Sequence, residues 1–248
     1  MGCSRRPHAR DLPPPPAPAY VQPMAADIIL LAKTETFSQQ ARIIAEALFG
    51  ERLQSFLGTV GDPLPEEVAN GRPAFLLSFL SPWIIPGPVL DNAGASINFH
   101  PASVEYPGIG CYNFALYDEA PEFGAVCHHM LAKVDSGTVI EERRFPLFPS
   151  DSVETLKLRT MVTMLAMFHD ICSLIAAGRP LPVSPRQWSR KAFTKKQMNA
   201  LKTIEPDMAP DEVARRIRAG VYPGYPGPSV TIAGHTFYYP VPDRPPLA

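Results

Sequence analysis

Three short apolar runs, each bounded by residues that break regular structure, narrow the folds open to this chain. They are Asp27-Ile28-Ile29-Leu30-Leu31-Ala32, Ala74–Leu80 and Ala95–Phe99, the last entered through Gly94. Each is too short for a core helix, and strands apolar on both faces need cover on both faces, which a parallel sheet flanked by helices provides. The intervening sequence agrees. Ser38 is a helix cap ahead of Ile43, Ile44, Ala47 and Leu48 at helical spacing, and Gly50 ends that helix. Pro82, Pro86 and Pro88 make the stretch around Trp83-Ile84-Ile85 a loop. Residues 125–133 and 138–145 read as two strands joined at Asp135-Ser136-Gly137. A long helix follows, opened by Asp151 or Ser152, with Leu156, Met161, Met164, Leu165, Phe168, Ile171 and Ile175 on its apolar stripe and Gly178 at its end. The expected fold class is α/β, an open, predominantly parallel sheet with helices on its faces.

The two ends differ from this core. Seven of the 30 prolines fall in residues 1–23, where no helical or strand period exists, so this stretch reads as a disordered Pro-rich leader. Its Met-Gly-Cys start lacks the Ser or Thr at position 6 that myristoylation favours, because Arg6 stands there. Residues 24–185 form the main domain. Residues 186–248 form a small subdomain packed on it. They comprise a basic polar stretch, a helix over 211–219 carrying Arg215, Arg216 and Arg218, a Tyr-Pro-Gly-Tyr-Pro-Gly segment, and a hairpin turning at Ala233-Gly234-His235.

A formal net charge of −1, from 23 Lys+Arg against 24 Asp+Glu, gives no overall attraction to nucleic acid or anionic lipid. No purely apolar stretch approaches the roughly 20 residues of a membrane span. The four cysteines, Cys3, Cys111, Cys127 and Cys172, are scattered without a CxxC pair, as expected of reduced thiols in a cytoplasmic protein.

The chemistry concentrates in Asn98-Phe99-His100-Pro101. Side chains two apart on a strand share a face, so Asn98 and His100 emerge together where Pro101 ends the strand, at the edge where open α/β sheets place ligands. An amide beside an imidazole suits acyl transfer: one donates to a developing oxyanion, the other moves a proton near neutral pH. Val134-Asp135-Ser136-Gly137 sets a carboxylate on a turn. Facing His100, Asp135 would orient the imidazole and raise its pKa. Strand-end polar groups of this kind are also common without any function.

Four blocks together, Asn98-Phe99-His100-Pro101, Tyr106-Pro107-Gly108, Gly124-Ala125-Val126-Cys127-His128-His129-Met130 and Val134-Asp135-Ser136-Gly137, resemble the formyltransferase family that uses 10-formyltetrahydrofolate. The family pattern is Asn-x-His-Pro-Ser, Tyr-Arg-Gly, Gly-Val-Thr-x-His and Asp-x-Gly, and the likeness extends from Asp27 to about Gly178. It implies that residues 24–185 are a Rossmann-like catalytic domain with Asn98, His100 and Asp135 as catalytic residues. An acceptor amine would attack the formyl carbon directly, with no metal and no protein nucleophile, leaving Cys111 and Cys127 dispensable. The pterin of the formyl donor would lie against backbone of Trp83-Ile84-Ile85 and of Leu131-Ala132-Lys133-Val134, although Trp83 reads equally well as an apolar plug. Ala102, Pro107 and Val126 depart from the family's Ser, Arg and Thr. His128 matches the family's strand histidine; it, His129 and His169 are expected to be structural.

Within the family, the tail resembles that of amino-sugar formyltransferases, whose C-terminal region helps build a dimer. The resemblance therefore implies formylation of a nucleotide-linked amino sugar by a homodimer, with Arg215, Arg216 and Arg218 either on a diphosphate or on a solvated face. The alternatives are another small amine of the hydroxyornithine type, methionyl-tRNA, or a degenerate folate-binding module. The short tail and balanced charge argue against tRNA.

Overall fold

The computed structural model describes residues 26–245, so the expectations for residues 1–23 and for Cys3 lie outside the described residues. Six strands form the main sheet: β1 (Ile28–Lys33), β2 (Leu53–Gly58), β3 (Phe75–Phe79), β4 (Ala95–His100), β5 (Glu122–His129) and β6 (Val139–Pro146), in the order β2-β1-β3-β4-β5-β6. The β2–β1, β1–β3 and β3–β4 pairs are parallel, and β4–β5 and β5–β6 are antiparallel. The apolar runs are buried on both faces. Ile28, Leu30, Leu77, Phe79, Ile97 and Phe99 pack under α1 (Thr36–Phe49) and α5 (Val153–Ala176). Ile29, Leu31 and Leu76 pack on the opposite face under the short helices α2 (Glu66–Asn70) and α3 (Gly87–Asp91).

The long helix starts where the sequence places it, with Ser152 as N-cap in a reciprocal pair with Thr155. α5 is long and apolar enough by composition to cross a membrane, yet its stripe of Leu156, Met161, Met164, Phe168 and Ile171 is buried in the protein core, against α1 and β5. In α1 the predicted face is buried only in part: Ile44 and Leu48 pack against the core, but the deepest residues are others. Ala41, Ala45 and Phe49 point inward while Ile43 is 49% exposed, because small residues allow the helix to approach the sheet closely. Ser38 lies inside the first turn, bonded to the Glu35 carboxylate, and Glu35 holds the cap position.

Four elements of the main domain, besides the helix Lys195–Lys202 and the strand Thr203–Ile204 of the C-terminal part, escape the sequence reading. β2 is short and only half-buried, so it lacks the continuous apolar signal of its neighbours. α3 starts within the proline-rich stretch read as loop; Pro88 sits in its first turn, where a missing N–H costs nothing. α2 and α4 (Cys111–Tyr117) are too short to show a period, and α4 opens on the left-handed Gly110. The strand expected at 125–133 ends at His129, and residues 130–138 form a longer connection than the three-residue turn predicted.

The C-terminal part comprises α6 (Lys195–Lys202), β7 (Thr203–Ile204), α7 (Pro210–Gly220) and a hairpin of β8 (Ser229–Ile232) and β9 (His235–Tyr238). It shares a core with the main sheet's periphery. Phe193, Leu201 and Ala219 are buried with Phe114, Phe123 and Val153, and the Phe193 ring stacks on Phe114 at 3.7 Å between centroids.

Candidate active site

The strand β4 alternates between core and site. Ile97 and Phe99 face α5, so Ser96, Asn98 and His100 face the other way, at the end of the parallel strands. The antiparallel neighbour β5 sets His128 directly opposite Asn98, and the side chains of such a pair share a face. Asn98 Nδ2 lies 3.1 Å from His128 Nε2. His128 Nδ1 is 2.8 Å from the His129 carbonyl, which can only accept, so Nδ1 carries the proton and Nε2 accepts from the amide.

Asp135 reaches the same point from the 130–138 connection, in a left-handed conformation with φ 46°. Its carboxylate meets three groups. Oδ2 accepts from the Gly108 N–H at 2.8 Å and lies 3.4 Å from His100 Nδ1; Oδ1 lies 3.6 Å from His128 Nε2. The other nitrogen of His100, Nε2, is 3.3 Å from the Tyr106 carbonyl. Both imidazoles are thus anchored through one nitrogen to a backbone carbonyl and turn the other to the same carboxylate.

Burial alone would raise the Asp135 carboxyl, but His100, His128 and the Gly108 N–H outweigh it and hold it at about 2. His100 moves against the expectation from sequence. Burial pulls its pKa below the ordinary value, and His128 adds to this; Asp135 and the Tyr106 carbonyl act upward without overcoming the loss of water. The site therefore holds an ionised Asp135 beside a buried imidazole that resists charging. Burial also pushes the Cys111 thiol up to about 12 and the Cys127 thiol well above its ordinary value, so neither is a ready nucleophile.

A cavity of 220 Å³ opens on this cluster, and Asn98, His128 and Asp135 form its floor. Its walls contain Trp83, Ile84 and Ile85 on one side and Leu131, Ala132, Lys133 and Val134 on the other. Ile84, Leu131 and Val134 are exposed at the rim. Trp83 is also a structural pin: its indole N–H donates to the carbonyls of Asp62 and Pro63, and its ring fills the space over Gly58. His100 is absent from the cavity wall and lies behind Asp135.

Sequence reasoning missed three contributors. His128 was expected to be structural but stands between Asn98 and Asp135; the signal was the β4–β5 register, which becomes legible only once the strands are paired. The Gly108 N–H on Asp135 is a backbone contact, invisible in residue types. Trp188, in a stretch read as basic and polar, packs edge-on against His100 and His128 at 5.7 and 5.1 Å and donates from its indole to the Gly137 carbonyl at 2.8 Å. His169, by contrast, is exposed and pairs with Asp170.

The arginines of α7 do not line this cavity, and the Arg215 side chain is 40% exposed, on the solvated face the sequence allowed. Arg215 and Arg216 pair with Glu212, Arg216 also donates to carbonyls at the end of α6, and Arg218 donates to the carbonyls of Phe148 and Asp151.

No protein-family model matches the chain. Among curated proteins it is 33% identical over 88 residues to phosphoribosylglycinamide formyltransferase of Haemophilus influenzae, covering 35% of this chain and 42% of that one. It is 23% identical over 174 residues to GDP-perosamine N-formyltransferase of Brucella melitensis biotype 1, covering 69% and 66%. The chain thus matches less than half the length of the phosphoribosylglycinamide enzyme. Among solved structures, a likely sugar N-formyltransferase of Mycobacterium tuberculosis superposes with a TM-score of 0.72 at 19% identity, covering 88% of this chain and 99% of that one. The chain has the fold of this structure, and parts of its sequence are similar to these two formyltransferases.

Proposed function

We propose that the chain transfers a formyl group from 10-formyltetrahydrofolate to the amine of a nucleotide-linked amino sugar. The observation that carries this reading is the convergence of Asn98, His100, His128 and Asp135 at one end of the parallel strands, beneath a cavity walled by two loop segments. The cavity fits a flat heterocycle. Its walls are two backbone-rich segments, the first held by prolines and by the Trp83 pin, and its volume suits a ring system rather than a whole folate. Trp83, Ile84, Ile85, Leu131, Ala132, Lys133 and Val134 would hold the pterin. The donor supplies a formyl carbon at the oxidation level of formate.

The chain's own groups do the rest. When an amine attacks that carbon, negative charge develops on the formyl oxygen. The Asn98 amide has a second N–H, beyond the one given to His128, that can donate to it. Asp135 and the two imidazole nitrogens facing it form a set that holds one additional proton. Asp135, which lines the cavity, accepts it as the attacking amine loses it, shares it with His100 Nδ1 behind, and returns it toward the departing nitrogen directly or through water. Dry surroundings make this uptake unfavourable at rest and favourable once an oxyanion is present.

Two relatives bear names that support an amine acceptor, and the longer match is to an enzyme named for GDP-perosamine. A homodimer, a cytoplasmic location and a division at residues 24–185 and 186–248 belong to the same reading. The β8–β9 hairpin and the residue after it offer a dimer face in Ile232, Phe237 and Tyr239, which are 53%, 55% and 43% exposed. The test is a transfer assay with 10-formyltetrahydrofolate and a panel of amines, read by mass spectrometry. Formylation of a nucleotide-linked amino sugar is expected. Folate binding without transfer to any amine would identify a degenerate module, and turnover of methionyl-tRNA or a hydroxyornithine-type amine would overturn the acceptor assignment.

A further inference from the structure

Between α5 and α6 the chain passes beside the catalytic cluster as an irregular strap. From Pro185 to Lys191 every residue is exposed except Trp188, which is half-buried and turns inward. The strap is tied to both loops that complete the cluster. The Ser184 N–H donates to the Val139 carbonyl at 3.2 Å, and the Ser189 N–H to the Val104 carbonyl at 3.3 Å. The Trp188 indole N–H donates to the Gly137 carbonyl at 2.8 Å, two residues beyond Asp135. Further along, the Phe193 N–H donates to the Pro107 carbonyl at 2.8 Å, next to the Gly108 N–H that holds Asp135. The indole is thus the one strap side chain that bonds to the Asp135 turn itself.

The ring closes the imidazoles off from solvent. It packs edge-on against His100 and His128 and lies on an apolar patch of Val104, Val126 and Val139. Val126 pairs with His100 across β4 and β5, so the patch covers the face from which that imidazole projects. Spaces of 340 and 370 Å³ adjoin Trp188, one along Ser136–Val139 and one reaching Asp135. Truncating the indole would add its volume to both and admit water to the two imidazoles. Few other groups can set their charge. Asp135 and His128 face His100, and Tyr106 gives it a carbonyl. Burial raises the pKa of the Tyr106 hydroxyl and of Cys111 in α4, so both stay neutral, and it lowers that of His129 in β5. Glu142 of β6 is paired with Arg144 and Arg186 at 3.1 and 3.4 Å, while Lys133, Arg190 and Lys191 border only the outer space. Exclusion of water is the largest influence on His100, and the strap contributes to it through the Trp188 ring.

We propose that Trp188 is a positioning residue for formyl transfer: its N–H fixes the turn that carries Asp135, and its ring keeps water from His100 and His128. The kinetic part rests on the proposed function; the imidazole environment is readable without turnover. Trp188→Ala removes both donor and ring, and Trp188→Phe removes the donor alone. In the transfer assay Trp188→Ala should lower kcat by about 10–100-fold and Trp188→Phe by less, with affinity for 5-formyltetrahydrofolate nearly unchanged in both. Only Trp188→Ala should move the acid limb of the kcat/KM profile, and upward, because a wetter imidazole charges more readily. Nitrogen NMR of the imidazoles, assigned with His100→Gln, should show the same upward move of His100 in the substrate-free chain. The exposed His169 should titrate unchanged. If Trp188→Ala does not fold, Trp188→Leu is read in its place and should give the same changes, smaller. An upward His100 titration supports the shielding role even if no formyl group is transferred to any amine. Unchanged kcat in both variants, or a His100 titration that does not move in Trp188→Ala or its Leu substitute, would overturn the proposal while wild-type formyl transfer stands.

Discussion

At the scale of single residues, the site is organised by one carboxylate serving two imidazoles. Replacing Asp135 with Asn keeps the shape but removes the charge to which His100 and His128 turn, so kcat should fall by about 10²–10⁴ with the fold intact by circular dichroism. His128→Gln is more discriminating. If His128 holds Asn98 and shares the proton set, kcat should drop by at least about tenfold with donor affinity nearly unchanged; unaltered turnover would return it to the structural role its strand position first suggested. The electrostatics also give a stability prediction. Because burial lowers the His100 pKa, the unfolded chain binds its proton more readily than the folded one below about pH 6.5. His100 therefore contributes stability above that pH which is lost on acidification through its folded value. The melting temperature should fall as the pH drops from 6.5, and His100→Gln should flatten that slope. Asp135, held at about 2, acts in a separate and more acidic window, from roughly pH 4 downward. Asn98, His100 and Asp135 are nameable from sequence because they carry their chemistry in their residue types. The direction of the His100 shift is not, since it depends on how completely water is excluded.

At the scale of elements, legibility followed the strength of local signals. β1, β3 and β4 announce themselves as apolar runs, and α5 by its stripe and cap, whereas β2, α2 and α4 are fixed by what they pack against. The 130–138 connection shows the limit most clearly. Its Asp-Ser-Gly sequence marks a turn, but its path is set by contacts from distant chain: Trp188 donating to the Gly137 carbonyl and the Met130 N–H donating to the Ser96 carbonyl at 2.8 Å. Gly137 is needed here for space. A Cβ at this position would stand 1.8 Å from the His129 carbonyl oxygen, so backbone would have to move. Gly137→Ala should cost about 1–3 kcal/mol in denaturant melts and lower kcat by displacing Asp135, while Gly178→Ala at the end of α5, strained by its φ of +63° but with nothing within 4 Å of its Cβ, should cost stability and leave kcat unchanged. Equal activity of the two variants would show that the turn tolerates a shift and that Asp135 is not positioned by it.

At the scale of the whole molecule, the C-terminal residues have two faces with different tasks. One face is buried: Phe193 stacks on Phe114, its N–H donates to the Pro107 carbonyl, and the Ile109 N–H donates back to the Phe193 carbonyl, so this part of the chain clamps the segment that carries Gly108 to Asp135. The other face is the β8–β9 hairpin, a two-stranded ribbon extended only by the two-residue β7, whose large apolar side chains have no cover. Isolated hairpins are marginal in water, and exposed edges and apolar patches invite pairing. A second copy supplies the same ribbon and can cover it symmetrically. Light scattering after size exclusion should therefore give twice the mass of one chain, and Phe237→Asp with Ile232→Asp should give a monomer. The monomer should keep the β1–β6 core and its folate affinity, because no residue of β8 or β9 lines the cavity over Asn98. A wild-type chain that remains monomeric at high micromolar concentration would remove the hairpin from the assembly and leave its exposed aromatics to another partner.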